Sequence, residues 1–226
     1  MDLVDNLAVH ICNTQNNKPI VVAFDGVDTS GKTTLADQIY EALKAKEKNC
    51  IRISIDKFHN PKEYRMRSGE LSPEGFFYDS FNAEKIIEYV LDPIKNRRGF
   101  IIHGIYDYKK EKPVKIEQTQ VTNDLIVLFD GIFLNRDELA EYWDLSIFLD
   151  VSFDIVLKRA IARDEKYFGS IDEVENRYMN RYIPGEKIYL STCFPKDRAD
   201  IVIDNNDFDN KTIIKGNFQL TIASTL

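Results

Sequence analysis

The chain has 226 residues, 43% hydrophobic and 30% charged, with a net charge of -7, which is the make-up of a globular protein long enough for a substantial core. No apolar run approaches the roughly 20 residues that span a bilayer. The acidic start Met1-Asp2-Leu3-Val4-Asp5 has no secretory character, and the acidic balance argues against general nucleic-acid binding. Cys12, Cys50 and Cys193 are odd in number and far apart, with neither metal-ligand nor disulfide spacing, which suits a cytoplasmic location.

Residues 3–15 read as a leading helix. The run Pro19-Ile20-Val21-Val22-Ala23-Phe24-Asp25 is short, apolar and β-branched, as a buried strand is. Leu35, Ile39, Ala42 and Leu43 then recur at helical spacing over about 32–47. Between strand and helix lies Gly26-Val27-Asp28-Thr29-Ser30-Gly31-Lys32-Thr33-Thr34, which fits the phosphate-binding pattern G-x-x-x-x-G-K-S/T in the context it requires. Gly26 and Gly31 let successive backbone N–H groups face one concavity, and the following helix N-terminus adds partial positive charge. Lys32 is placed to reach terminal phosphates and the Thr33 hydroxyl to ligand magnesium. The loop predicts binding of a nucleoside triphosphate.

A second strand, Cys50-Ile51-Arg52-Ile53-Ser54-Ile55, ends at Asp56, and 57–81 is a long connection of the kind that forms lids or binding segments. A helix is expected at 82–96, a strand at 100–106 and a lysine-rich excursion at 107–118. Strands follow at 125–129 and 145–149 with a short helix at 136–142 between them. Helices at 153–165 and 171–189 precede a last strand at 200–203. Strands alternating with helices predict an α/β fold, a doubly wound parallel sheet of about five strands with helices on both faces. No repeat or linker divides the chain, so 1–226 reads as one domain with its core at about 19–204. In the tail, 205–226, Thr212-Ile213-Ile214 and Leu220-Thr221-Ile222 form either an edge hairpin or a frayed end.

Ligands of such sheets collect beyond the carboxyl ends of the strands. Asp56 stands at one such end, where a carboxylate can take a hydroxyl proton and help position a metal; the alternative is a capping aspartate. Asp130, after Leu125-Ile126-Val127-Leu128-Phe129, has the form of a second magnesium-associated carboxylate, and Asp150 reads as structural. Arg159 and Arg163 lie four apart on one helical face, either as a lid over phosphates or as a solvated pair. His59 is a candidate substrate contact. No Asn-Lys-x-Asp guanine-reading sequence occurs.

Taken in order, these pieces resemble the uridine kinase family of P-loop kinases, which includes phosphoribulokinase-like and pantothenate kinase-like members. The resemblance covers roughly 19–204. It rests on Gly26 to Thr34, Asp56-Lys57-Phe58-His59, Tyr78-Asp79-Ser80-Phe81-Asn82 and Ile105-Tyr106-Asp107-Tyr108. Phe129-Asp130-Gly131-Ile132, the Arg159/Arg163-Asp164 helix and Arg198-Ala199-Asp200-Ile201-Val202-Ile203 complete it. It implies sheet order 2-3-1-4-5 and an ATP- and Mg2+-dependent kinase whose acceptor is a small molecule, best a pyrimidine nucleoside. It implies neither a nucleic-acid nor a membrane partner, and it leaves room for a homo-oligomer. Asp56 would be the base and a metal neighbour; Thr33 and Asp130 would serve the metal, Tyr106 and Tyr108 would face the nucleoside, and Arg163 would face phosphate. The departures lie on the substrate side. The family's base-contacting histidine falls at Glu111 and its ribose-binding aspartate near Phe76, with Glu74 as a substitute. Two further lid arginines fall at Phe168 and Ser170. Pantothenate or a sugar phosphate therefore stays open as the acceptor, as does a nucleotide-binding regulatory ATPase.

Overall fold

The computed structural model describes residues 2–216 and has at its centre a six-stranded sheet flanked by helices. The first elements are α1 (Leu3–Thr14), β1 (Ile20–Gly26), α2 (Lys32–Ala45) and β2 (Cys50–Ser54). A 3-10 turn (Ile55–Phe58) leads to α3 (Lys62–Arg65) and α4 (Pro73–Asp79). Next come α5 (Ala83–Ile86) and α6 (Asp92–Lys95), joined by a π turn at Ile87–Leu91. Four short strands follow: β3 (Phe100–Ile102), β4 (Tyr106–Asp107), β5 (Lys112–Pro113) and β6 (Gln118–Gln120). The chain then builds β7 (Ile126–Asp130), α7 (Asp137–Ala140), β8 (Leu145–Asp150), α8 (Phe153–Phe168) and α9 (Ile171–Arg177). A second π turn, Tyr178–Tyr182, runs into α10 (Ile183–Cys193), and α11 (Pro195–Arg198), β9 (Ile201–Asp204) and β10 (Thr212–Lys215) end the described chain.

Five strands are parallel, side by side as β2, β7, β1, β8, β9. Numbered within the sheet, that is the expected 2-3-1-4-5. A sixth strand extends the expected five: β10 lies antiparallel on β9, with Thr212 opposite Asp204 and Ile213 opposite Ile203. The hairpin partner of Thr212-Ile213-Ile214 is thus β9; Leu220-Thr221-Ile222 lies outside the described residues.

The strand expected at 100–106 is a correction. The stretch is broken in two: Phe100–Ile102 pairs antiparallel with β6, away from the main sheet, and Tyr106 begins β4, which pairs antiparallel with β5. The chain turns at Gly104, where a Cβ would meet the Lys57 Cβ at 2.4 Å, and the Ile105 N–H bonds the Lys57 carbonyl at 2.8 Å. Packing onto the segment after β2 wins over continued extension.

Alternation along β1 fills two cores. Ile20, Val22 and Phe24 join Leu7, Ile11, Leu35, Ile39 and Leu43 beneath α1 and α2, while Val21 and Ala23 face Phe76, Phe77, Phe81, Val90 and Tyr189 on the other side. In the second π turn the Ile183 N–H reaches back to the Tyr178 carbonyl. Beyond it α10 packs so closely on α4 that a Cβ at Gly185 would meet the Pro73 carbonyl oxygen and Phe76 Cδ1, both at 2.8 Å. Gly185→Ala gains about 1 kcal/mol of helix propensity. The backbone carbonyl cannot swing aside, so an overpacking cost of about 1–3 kcal/mol outweighs that gain. Urea unfolding should show a lower midpoint; an unchanged midpoint would mean that α4 gives way freely.

Candidate active site

The parallel strands deliver their carboxyl ends to one edge, and the predicted phosphate loop lies there, between β1 and α2. Gly31 has φ 91°, in the left-handed region, and Thr29 has φ 54°. At Gly26 a Cβ would meet Ser30 Oγ at 2.6 Å and the Leu149 carbonyl oxygen at 2.7 Å, so only glycine lets the loop close this tightly. Among the described residues no side chain caps α2 at Gly31, which leaves its first N–H groups for an anion. Lys32 is buried and curls back so that Nζ donates to the Val27 carbonyl at 2.9 Å. This cradle suits a phosphate chain.

Beside it, Thr33 Oγ1 donates to Asp130 Oδ2 at 2.6 Å, and Arg52 holds Asp130 Oδ1 at 2.8 Å. Burial raises the Asp130 carboxyl, opposed by the Arg52 guanidinium and the Thr33 hydroxyl. Among the described residues no group of three or more His, Cys, Asp or Glu forms a metal cage. A hydroxyl and one carboxylate beside a phosphate cradle nevertheless suit Mg2+, which draws its remaining ligands from phosphate and water. Sequence reasoning gave Arg52 no role; an arginine inside a largely apolar strand is the signal that marks it.

Asp56 is the second residue of the 3-10 turn after β2, its N–H 3.4 Å from Ser54 Oγ. One side of it is open to solvent, yet crowding in the cleft desolvates the carboxyl and raises it from the ordinary carboxylate range. Lys32 pulls against that shift and Asp28 adds to it. His59 keeps Nδ1 3.0 Å from the Asp56 carbonyl oxygen and is sandwiched between Tyr108 and Phe81, each with ring centroids 4.4 Å away. Burial depresses His59 to about 4, so it is neutral at physiological pH. Burial and then the Asp56 charge push Tyr108 up to about 12.

The two tyrosines separate. Tyr106 turns to Glu111, donating to Oε2 at 3.1 Å. Glu111 also receives the Lys62 N–H at 3.2 Å and the guanidinium of Arg65, a buried residue. Both Glu111 oxygens are thus engaged inside the protein. Phe76 is buried in the core and Glu74 is exposed, beside the Ser72 hydroxyl.

Arg163 grips Asp28 with Nη1 and Nη2, at 3.1 and 2.9 Å, and Asp164 through Nε at 2.7 Å. Burial alone would raise Asp28; the Arg163 guanidinium overrides it and holds the carboxyl at about 2. The Tyr178 hydroxyl donates to the same carboxylate. Arg159 lies on the other flank of the loop, against the Thr29 carbonyl (3.4 Å) and the Asn205 carbonyl (2.8 Å), with the Phe208 ring 3.7 Å from its guanidinium carbon. Phe168 packs on Arg177, and Ser170 caps α9. Asp150 is structural, paired with Lys196 at 2.6 Å.

Sequence reasoning missed the layer beneath the loop. Asp25 is fully buried and accepts from the Gly26 N–H, both Asn135 nitrogens and the Tyr189 hydroxyl. Glu186 accepts the Asp28 N–H at 2.5 Å.

Parallel strands that bring a phosphate loop, its lysine and two carboxylates to one edge are the architecture of P-loop phosphotransferases, and this chain is one. Residues 21–210 match the model of the phosphoribulokinase/uridine kinase family, and the chain belongs to that family. A uridine kinase of Clostridium novyi (strain NT) is 29% identical over 189 residues, which cover 82% of this chain and 87% of the relative. One of Bacillus subtilis (strain 168) is 29% identical over 194 residues, 82% of this chain and 85% of the relative. A solved structure described as a possible uridine kinase from Bacillus stearothermophilus superposes with TM-score 0.70 at 22% identity, over 88% of this chain and 96% of that one. Phosphoribulokinase from Rhodobacter spheroides gives 0.55 at 17% identity, over 83% of this chain and 70% of that one. The two structures speak for the fold alone. No helix among the described residues is long and apolar enough to cross a membrane.

Proposed function

We propose that this chain transfers the terminal phosphate of ATP to a hydroxyl of a small acceptor, the 5′-hydroxyl of uridine or cytidine. The observation that carries the reading is the place of the Asp56 carboxylate, just past the carboxyl end of β2 on the same edge of the sheet as the phosphate loop and within electrostatic reach of Lys32. Phosphoryl transfer asks a protein mainly for positioning and charge stabilisation. In this reading Lys32 and the loop N–H groups hold the phosphates, and Arg163 exchanges Asp28 for the phosphate in flight. Asp56 takes the acceptor's proton, and the stacked His59 and Tyr108 form an aromatic wall for a flat base. Thr33 and Asp130 would hold Mg2+, with Asp56 near it. When bound, the metal neutralises charge on the phosphates. The three cysteines are free, in keeping with a cytoplasmic setting.

The test is ADP release from ATP and magnesium against a panel of nucleosides, pantothenate and sugar phosphates. Turnover on uridine or cytidine well above the rest is expected. Activity confined to pantothenate or a sugar phosphate would refute the nucleoside and leave a kinase. Phosphate release that no acceptor stimulates would point to a regulatory ATPase.

A further inference from the structure

Glu186, on α10, is 0% exposed and has no part in the chemistry proposed above. Its Oε1 accepts the backbone N–H of Asp28 at 2.5 Å, in the middle of the phosphate loop. Its Oε2 is buried and has no hydrogen-bond partner among the described residues. An ionised carboxylate with one bare oxygen in the interior is costly, and protonation relieves most of that cost. The charged groups facing it are Asp28 from the loop, Lys32 from the first turn of α2 and Arg163 from α8. Tyr178 and Tyr182, from its own helical run, also face Asp28 and stay neutral, raised by burial. Burial pushes Glu186 up to about 8; Asp28 adds to the rise, while Lys32 and Arg163 hold it back.

Those two cations are the ones that a phosphate chain on the loop would engage. A seated polyphosphate both distracts them and brings negative charge of its own towards Glu186. We propose that Glu186 is a positioning residue that pins the Asp28 turn of the phosphate loop and takes up a proton when a nucleotide phosphate binds there. The proton comes from solvent and goes to Oε2; no other bond changes. The inference rests on the kinase reading only in requiring nucleotide on the loop. Its sign is fixed by linkage. Below the free-state value Glu186 is protonated in both states and nothing is taken up. Above it, binding draws in a proton, and affinity falls by up to about tenfold per pH unit.

Calorimetric titration of the full chain with ADP, in two buffers of different ionisation enthalpy, counts the protons. At pH 8.5 the wild-type chain should take up roughly half a proton or more per ADP, and at pH 7 markedly fewer. Glu186→Gln keeps an oxygen for the Asp28 N–H but has no carboxyl to titrate. It should bind ADP with the extra uptake gone and with affinity nearly level between pH 7 and 9. Glu186→Leu removes the acceptor as well and should weaken ADP at every pH. Wild-type uptake that persists in Glu186→Gln would overturn the proposal, as would equal wild-type uptake at pH 7 and 8.5, a comparison that stands even if neither variant folds. A wild-type chain that binds no ADP would fail the kinase reading itself, and this inference with it.

Discussion

Asp56→Asn is expected to bind ATP nearly normally and to turn over about 10²–10⁴-fold more slowly, the usual size of a general-base contribution. Asparagine fills the same space beside Lys32 but cannot take the acceptor's proton. The carboxyl is raised by its crowded surroundings, so the acid limb of the wild-type rate profile should lie above the ordinary carboxylate range. Activity falls as pH drops through that raised value, because the base must be ionised to work. Kinetics with saturating acceptor across pH check both points. An Asp56→Asn protein with near-normal turnover, or with the acid limb intact, would remove Asp56 as the base.

Lys32→Ala should lose on both counts, binding ATP weakly and turning over about 10²–10³-fold more slowly, as when a preorganised electrostatic donor is removed. Lys32 is buried, with its ammonium donating to the Val27 carbonyl across the loop, so the charge is already aimed and partly desolvated before ligand arrives. Its loss also strips a partner from that carbonyl. Equilibrium binding of an ATP analogue together with turnover separates the two effects. Unaltered affinity and rate would mean that the loop does not carry the phosphates.

What was legible in the sequence was whatever is local. The strand, the glycine loop and the helix are contiguous, and their pattern carries its own geometry. Asp56 and Asp130 were visible because a strand end announces itself as an apolar run stopped by an acid. The sheet order came through family likeness; the sixth strand was one of two options for Thr212-Ile213-Ile214, and the ribbon of Phe100–Ile102 was not legible, since edge pairing depends on packing that short runs do not encode. The support beneath the loop was hidden for a related reason. Asp25 finds Asn135 and Tyr189, and Asp28 finds Tyr178 and Glu186, more than a hundred residues away. Nothing next to Glu186 in the chain marks it. For Tyr106 and Glu111 the resemblance implied positions on the substrate side; tertiary packing adds what no local pattern shows, the Tyr106 hydroxyl bonded to Glu111 and Glu111 in turn to Arg65.

The wide turn at Tyr178–Tyr182 sets the angular phase of everything after it. On an uninterrupted α-helix, eight residues sweep about 800°, which would leave Tyr178 and Glu186 about 80° apart around the axis. A π turn absorbs one residue, so the interval behaves as seven, about 700°, and the two side chains come within about 20° of each other. Both then meet Asp28, one at its carboxylate and the other at its N–H. The spare residue works like an indexing click. Were the wide turn to tighten into a regular α repeat with every residue kept, Glu186 would swing about 100° away from the loop, whereas deleting one position between 178 and 186 along with the turn would leave seven regular residues and the same phase. The wide turn is therefore part of the site, because it aims Glu186 at the loop while accommodating the extra residue.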